Sequence, residues 1–357
     1  MRTTRRHRRP RDLSARLAAA LVLGGAALPA CALDLSWSGF ATLGYAHSSG
    51  VPGRYLRWID DGGTFKSETV AALQLDARVT PELSATLQLR AAPSDRSDSR
   101  WQLKPSWGFV AWRPNDEWLL RAGRMRVPLY LHSESLDIGV GHDMARLPVE
   151  MYSIAPSNDF DGAFVTYSRP VSWLEQGELS IEAYHGNFKP YARLWRRDGL
   201  PPQLPAGAEF RKIDVQLGGG VATLRNPHTT LRLALVVASA AQVDGTPLPA
   251  SLPFVQIAPR LGYYRVNEAL PGPPIPSVGR LRNVITTLGA EHRFDGGWRV
   301  AAELARGKQH RTELGSDTLG GYLAVFKDID RFTPYASWGR LSTNSRQMDI
   351  YRKLMAV

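Results

Sequence analysis

The 357-residue sequence contains a single cysteine, Cys31, so an intrachain disulfide, a paired-cysteine redox centre and a cysteine-built zinc site are all excluded. It also lacks any run of about 20 consecutive apolar residues, the length a membrane-crossing helix needs. A bundle of membrane helices is therefore ruled out, although 43% of the side chains are hydrophobic, enough to argue against wholesale disorder. His-Glu-x-x-His, Gly-x-Ser-x-Gly and the phosphate-cradling glycine loop are absent. Gly218-Gly219-Gly220 matches no phosphate loop and reads as a place where the chain bends or packs closely. His132, Ser133 and Asp137 are triad residue types, but neighbours in one loop seldom give a nucleophile and its base the required geometry. His142-Asp143 reads as a solvated pair rather than a metal site. No catalytic centre, metal or cofactor is expected.

Acidic residues are in the minority, 33 against 44 Lys and Arg, for a formal charge of +11. The excess sits at the front, where Arg2, Arg5, Arg6, Arg8, Arg9, Arg11 and Arg16 are opposed only by Asp12. Leu17 to Pro29 then form a short Ala/Leu run ending in Ala30-Cys31-Ala32. A basic start, a short apolar run and a small-residue cleavage site make a secretory signal peptide over 1–32, expected to be removed after Ala32. Leu28-Pro29-Ala30-Cys31 also has the outline of a lipobox, the alternative in which Cys31 becomes a lipidated N-terminus. Without 1–32 the formal charge falls from +11 to +5, and a nucleic-acid partner loses its main support.

From residue 33 onward period-2 alternation recurs and no helical stripe stands out, which reads as an all-β chain. Leu73, Leu75 and Ala77 alternate with Gln74, Asp76 and Arg78; Leu87 and Leu89 with Gln88 and Arg90; Trp298, Val300, Ala302 and Leu304 with Arg299 and Glu303. Thirteen strands are expected, near 35–46, 67–79, 83–91, 101–112, 118–126, 161–168, 178–186, 210–223, 229–241, 283–294, 298–306, 320–327 and 332–341. Tight turns such as Thr80-Pro81-Glu82, Arg113 to Glu117, Arg225 to His228 and Asp295-Gly296-Gly297 alternate with long polar segments. Short connections on one side and long ones on the other are the asymmetry of a transmembrane barrel rather than of a sandwich. Trp37, Trp112, Trp118, Tyr167, Phe294, Trp298 and Phe332 flank the short turns, as rings settling at a membrane interface would. Closure is the physical requirement, because lipid offers no partner to an open strand edge.

The stretches Arg121-Ala122-Gly123-Arg124-Met125-Arg126-Val127-Pro128, Arg146-Leu147-Pro148-Val149-Glu150-Met151-Tyr152 and Asp159-Phe160-Asp161-Gly162, with Trp37-Ser38-Gly39-Phe40 in the first strand, resemble Gram-negative outer-membrane porins. The likeness is to porin-like proteins akin to phosphate-selective porins and runs through the loop rhythm over most of the chain. It implies a 16-stranded antiparallel transmembrane β-barrel, of which 33–341 supply thirteen strands and 342–357 begin an external loop, a C-terminally truncated copy. It further implies a passive diffusion channel for small hydrophilic solutes or ions, not an enzyme, in the cell outer membrane. The bilayer, the barrel-assembly machinery and a homotrimer are the partners so implied.

In such porins the third external loop folds into the lumen and narrows it. Here 127–160 holds that position. The resemblance implies a basic wall of Arg78, Arg90, Arg121, Arg124 and Arg126 facing the acidic loop residues Glu134, Asp137, Asp143, Glu150, Asp159 and Asp161. Arg121 and Arg124 have opposite strand parity, so only a bulge turns both inward. Two other classes stay open: an outer-membrane barrel enzyme of lipase or esterase type, and a periplasmic all-β binding protein.

Overall fold

The computed structural model describes residues 33–49, 59, 62–155, 159–196, 206–259, 261–343 and 348–349. The expected signal peptide and most of the expected terminal loop lie outside them.

The chain is all-β. Its strands are β1 (Asp34–Thr42), β2 (Val70–Arg78), β3 (Leu83–Pro93), β4 (Trp101–Trp112), β5 (Trp118–Arg126), β6 (Asp159–Val171), β7 (Gly177–Phe188), β8 (Tyr191–Arg196), β9 (Gly207–Arg225), β10 (Thr229–Gln242), β11 (Leu248–Pro249), β12 (Phe254–Ala258), β13 (Leu261–Tyr264), β14 (Ser277–Val278), β15 (Leu281–Phe294), β16 (Trp298–His310), β17 (Asp317–Lys327) and β18 (Tyr335–Thr343). One antiparallel sheet follows the chain as β1-β2-β3-β4-β5-β6-β7-β9-β10-β15-β16-β17-β18, with β8 added on β9. Those thirteen ladder strands are the thirteen read from alternation.

Differences fall in the connections. β8 and the small hairpins β11·β14 and β12·β13 lie inside segments expected to be plain loop. Asp159 and Asp161, expected in the long loop, open β6. β16 and β17 run further than expected, leaving 311–316 between them against 328–334 between β17 and β18, so the short-and-long alternation fades there.

The short turns are built by side chains that mimic backbone acceptors. Thr80 Oγ1 accepts from Leu83 N–H at 3.0 Å, Asn115 Oδ1 from Trp118 N–H at 2.9 Å and Asn226 Oδ1 from Thr229 N–H at 2.6 Å. Gly296 and Gly297 turn the β15–β16 hairpin at φ 71 and 77, a region closed to most side chains.

The two faces of the sheet are inverted relative to a water-soluble protein. Leu73, Leu87, Leu103, Leu233, Leu288 and Leu304 are exposed, whereas Gln88, Thr287, Arg299 and Glu303 are buried. On the concave side Gly123, Gly162 and Gly186 pair in a row across β5, β6 and β7. A Cβ on Gly162 would stand 2.8 Å from the Phe160 ring and 2.2 Å from His185 O, so the row gives the fully buried Phe160 its bed.

Among the described residues, the main sheet's register shifts at one place. Between Gln88 and Leu89 of β3 the register shifts across β4, with Ser106 as the extra residue beside Pro105. From there β4 parts from β5, whose pairing with it covers Leu120 to Arg124 alone. The sheet is strongly curled. Ala145 N–H donates to Tyr335 Oη of β18 at 3.0 Å, and the next residue, Arg146, pairs with Glu68 just ahead of β2 at 3.4 Å. The two ends of the sheet thus meet the same loop one residue apart.

Candidate functional site

The segment after β5 enters the concavity. Pro128 ends the strand, Tyr130 N–H donates to Ser133 Oγ at 2.7 Å, and one helical turn, Val149–Tyr152, follows Pro148. Leu129, Tyr130, Met144, Leu147 and Met151 of this loop join Phe164, Tyr184, Leu217, Ala301 and Phe326 of the wall in one buried cluster. Burying each large apolar side chain stabilises the docked loop by roughly 1.5 to 3 kcal/mol.

Polar ties reach the wall on both sides. Asp137 Oδ2 accepts from Arg90 Nη1 at 2.5 Å and from Arg126 Nη2 at 2.7 Å. Arg126 also meets Asp159 at 3.2 Å, and Lys104 stands 3.7 Å from Asp159 and 3.4 Å from Asp95. Across the lumen, Glu303 of β16 accepts from Leu131 N–H at 2.8 Å, Tyr152 Oη at 2.7 Å and Tyr322 Oη at 2.9 Å. Arg232 donates to Pro128 O at 2.9 Å, Thr287 to Leu129 O at 2.6 Å, and Arg299 binds Asp143 and Glu291.

Of the expected basic wall, Arg90 and Arg126 face the loop. Arg121 faces inward but pairs with Glu182 at 3.4 Å beneath the Phe164 ring rather than with the loop. Arg124, of the other parity, turns to a two-pronged pair with Asp161 at 2.8 and 2.7 Å, whereas Arg126, of the same parity, lies past the last β4–β5 pair and reaches Asp137 there. Arg78 lies exposed at the short-turn end of β2, away from the loop. Of the acidic set, Asp137 and Asp143 meet wall arginines, Asp159 and Asp161 are wall residues, Glu134 is exposed near Glu182, and Glu150 lies over Gly339 of β18. Glu182, Arg232 and Glu291 carry no sequence signal that marks them as site residues. Alternation shows that Arg299 and Glu303 share a face, but no spacing in the chain connects them to a loop more than 130 residues earlier.

Burial opposes ionisation of Asp137, yet the Arg126 and Arg90 guanidiniums outweigh it and hold the carboxyl below the usual range. Burial pushes His132 down to about 4, helped by His142 and Arg299 against Asp143. His142 is lowered by burial as well. Tyr130 and Tyr152 are raised by burial, Tyr152 also by the Glu303 charge. The triad types of the loop are committed elsewhere: His132 meets the His142 ring at 5.9 Å, Ser133 Oγ serves Tyr130, and Asp137 serves two arginines. No group of three or more His, Cys, Asp or Glu fit to hold a metal occurs among the described residues.

The Arg90–Asp137 pair separates two cavities. One of about 960 Å³ runs along β4, β6 and β8, and one of about 510 Å³ lies toward β2 and the Arg146 segment. Both are lined by Arg90, Leu136 and Asp137. Wall cations thus meet acidic loop residues between two cavities, and opposed charges so placed set up a transverse field.

Neither a protein-family model nor a curated protein matches the sequence. Solved structures to which the chain is similar include Vibrio cholerae OmpT lacking loop L8 (8% identity, 87% of this chain and 94% of that one, TM-score 0.41), the anion-selective porin from Comamonas acidovorans (12%, 87% and 90%, 0.40) and Salmonella typhi OmpF with daunomycin (12%, 87% and 97%, 0.31).

Proposed function

We propose that the chain forms an outer-membrane channel through which small hydrophilic solutes or ions diffuse passively, narrowed where the segment 127–155 meets Arg90 and Arg126. The observation that carries this is the inverted sheet: exposed leucines outside, a charged and hydrogen-bonded lumen inside. In water, each large apolar side chain left outside would forfeit about 1.5 to 3 kcal/mol, which a bilayer restores. A periplasmic binding protein has no use for such a belt. The ladder strands are nine or more residues long, as a tilted bilayer crossing of about 9 to 11 residues requires. Trp37, Trp112, Phe294, Trp298 and Phe332 are exposed near the short-turn ends, a level that suits a headgroup boundary. Buried Nε–H groups of Arg90, Arg121, Arg232 and Arg299 find no protein acceptor, which suits a wet lumen.

Under this proposal the bilayer is the partner, the barrel-assembly machinery inserts the chain, a homotrimer is the assembly, and no chemical turnover occurs. The test is single-channel recording of the full chain in planar bilayers in potassium chloride. Discrete conductance steps are expected; a chain that migrates as a folded, heat-modifiable species yet carries no current removes the proposal.

A further inference from the structure

At the long-loop end, where β4 parts from β5, the wall is chemically two-sided, and the larger cavity reaches from the concave face to exposed Leu103 and Asp161. Next to the 960 Å³ charged chamber lies a second cavity of about 300 Å³, and the two share Phe188, Pro190, Tyr191 and Ala192 as a common seam. The smaller one is lined mainly by apolar side chains, Leu129, Ile154, Val215, Leu217, Val236 and Ile285, with Lys308 and the Gln309–Asn283 hydrogen bond, 3.1 Å, on its polar side. Such an apolar recess is out of place in a lumen serving only hydrated solutes, whose interior positions are normally polar.

The charged chamber has cations to spare beside that seam. Arg124 is taken by Asp161, Arg193 by Asp98 at 2.8 Å and Lys104 by Asp95 and Asp159. Lys189 sits between Phe188 and Pro190 in the chain and Lys212 is the register partner of Tyr191; both line the larger cavity from its exposed side, and among the described residues neither has an ion-pair partner. Arg96 stands 5.3 Å over the Tyr191 ring. A ligand bridging the seam therefore meets two ammonium groups at one end and, apart from Lys308, largely aliphatic walls at the other.

We propose that this vestibule binds an amphiphilic organic anion: a carboxylate held by Lys189 and Lys212, joined to a single ring or short branched alkyl group that enters the 300 Å³ recess. The recess has the capacity, since an apolar cavity of roughly 150 Å³ already takes up benzene. The inference deepens the channel proposal by naming a solute class, but binding needs no conduction.

The test is equilibrium dialysis of the folded full chain in detergent against benzoate, acetate and benzyl alcohol, with micelles alone as blank. Benzoate is expected to bind at least about tenfold tighter than either fragment, because each fragment engages only one half of the site. Ala238→Phe, which fills the recess, should abolish the preference over acetate; Lys189→Ala with Lys212→Ala should abolish the preference over benzyl alcohol. Benzoate binding no better than acetate or benzyl alcohol overturns the inference, whether or not the variants fold. A chain that conducts potassium chloride without that preference loses this inference alone. One that binds benzoate selectively but carries no current loses the channel proposal alone.

Discussion

The backbone N–H of Leu131 donates to the carboxylate of Glu303 at 2.8 Å, across 172 positions of sequence. The same carboxylate holds Tyr152 Oη from the far end of the loop, so one wall residue fastens both limbs of the segment that fills the lumen. Removing an acceptor shared by several buried donors costs the desolvation of each, about 1 to 3 kcal/mol apiece. Glu303→Ala should therefore loosen the docked loop. The readout is trypsin cleavage after the exposed Arg146, expected to rise severalfold in rate with the barrel still heat-modifiable; unchanged cleavage would show that Glu303 does not hold the loop.

Acid should loosen it too. His132 is held at about 4 by burial, His142 and Arg299, against an ordinary value of 6.5, while Asp143 pulls the other way. The docked loop thus binds fewer protons than the undocked one. Docking strength is fully present above about pH 6.5 and is lost as pH falls toward 4, by up to roughly tenfold in the docking equilibrium per pH unit for this one group. Asp137, held low by Arg126 and Arg90 against burial, extends the loss below the ordinary carboxylate range. Channel recordings from pH 7.5 to 4.5 should show growing fluctuation of the open current, less steep over pH 6.5 to 4.5 in His132→Asn, where His142, also lowered by burial, still titrates. A wild-type current insensitive to this range would contradict the assignment.

The inverted sheet makes a positional prediction. Leu87 and Leu233 are 46% and 52% exposed and Val300 shares their face, so Arg at any of the three should block assembly, at about 2 to 4 kcal/mol per charge at the bilayer midplane. Ser180, bonded to Ser168 across β6 and β7, is the proper interior control. Gln88 also faces inward but is 5% exposed and bonded to Gln74, so Arg there meets packing as well as polarity. Folding into vesicles, read by heat-modifiable migration, should fail for the outer set and succeed for Ser180→Arg.

How much of this was legible in the chain divides by range. Strands such as β3 and β16 announce themselves because lipid on one side and lumen on the other enforce a period of 2. The opposite facing of Arg121 and Arg124 follows from the same rule, but that rule groups Arg126 with Arg124, and its contact with Asp137 depends on the parting of β4 from β5. β8 and β11 to β14 were missed because six residues or fewer amid Pro and Gly carry too little pattern. The contacts of Asp143 with Arg299, or Leu131 with Glu303, were beyond reach because they depend on the curl of the whole sheet. Arg78 shows the limit from the other side: residue type and parity suit a pore wall, but its height on β2 puts it at the wrong end.

The proposed constriction can be tested by two changes with different signatures. Deleting residues 136–145 removes Asp137 and Asp143, two of the ties between loop and wall, together with the material between the 960 and 510 Å³ chambers. Conductance should rise, since ion flow follows the narrowest open section. Arg90→Gln leaves that section nearly unchanged but removes one of two cations beside Asp137, so the reversal potential in a salt gradient should move toward cations with little change in conductance. Arg121→Gln should shift it less, because the Arg121 charge is matched by Glu182 on the neighbouring wall rather than presented at the loop. If the deletion leaves conductance where it was, the loop is not the narrowest point. If Arg121→Gln moves the reversal potential more than Arg90→Gln does, the selectivity-setting charges lie nearer the short-turn end than the Arg90–Asp137 pair.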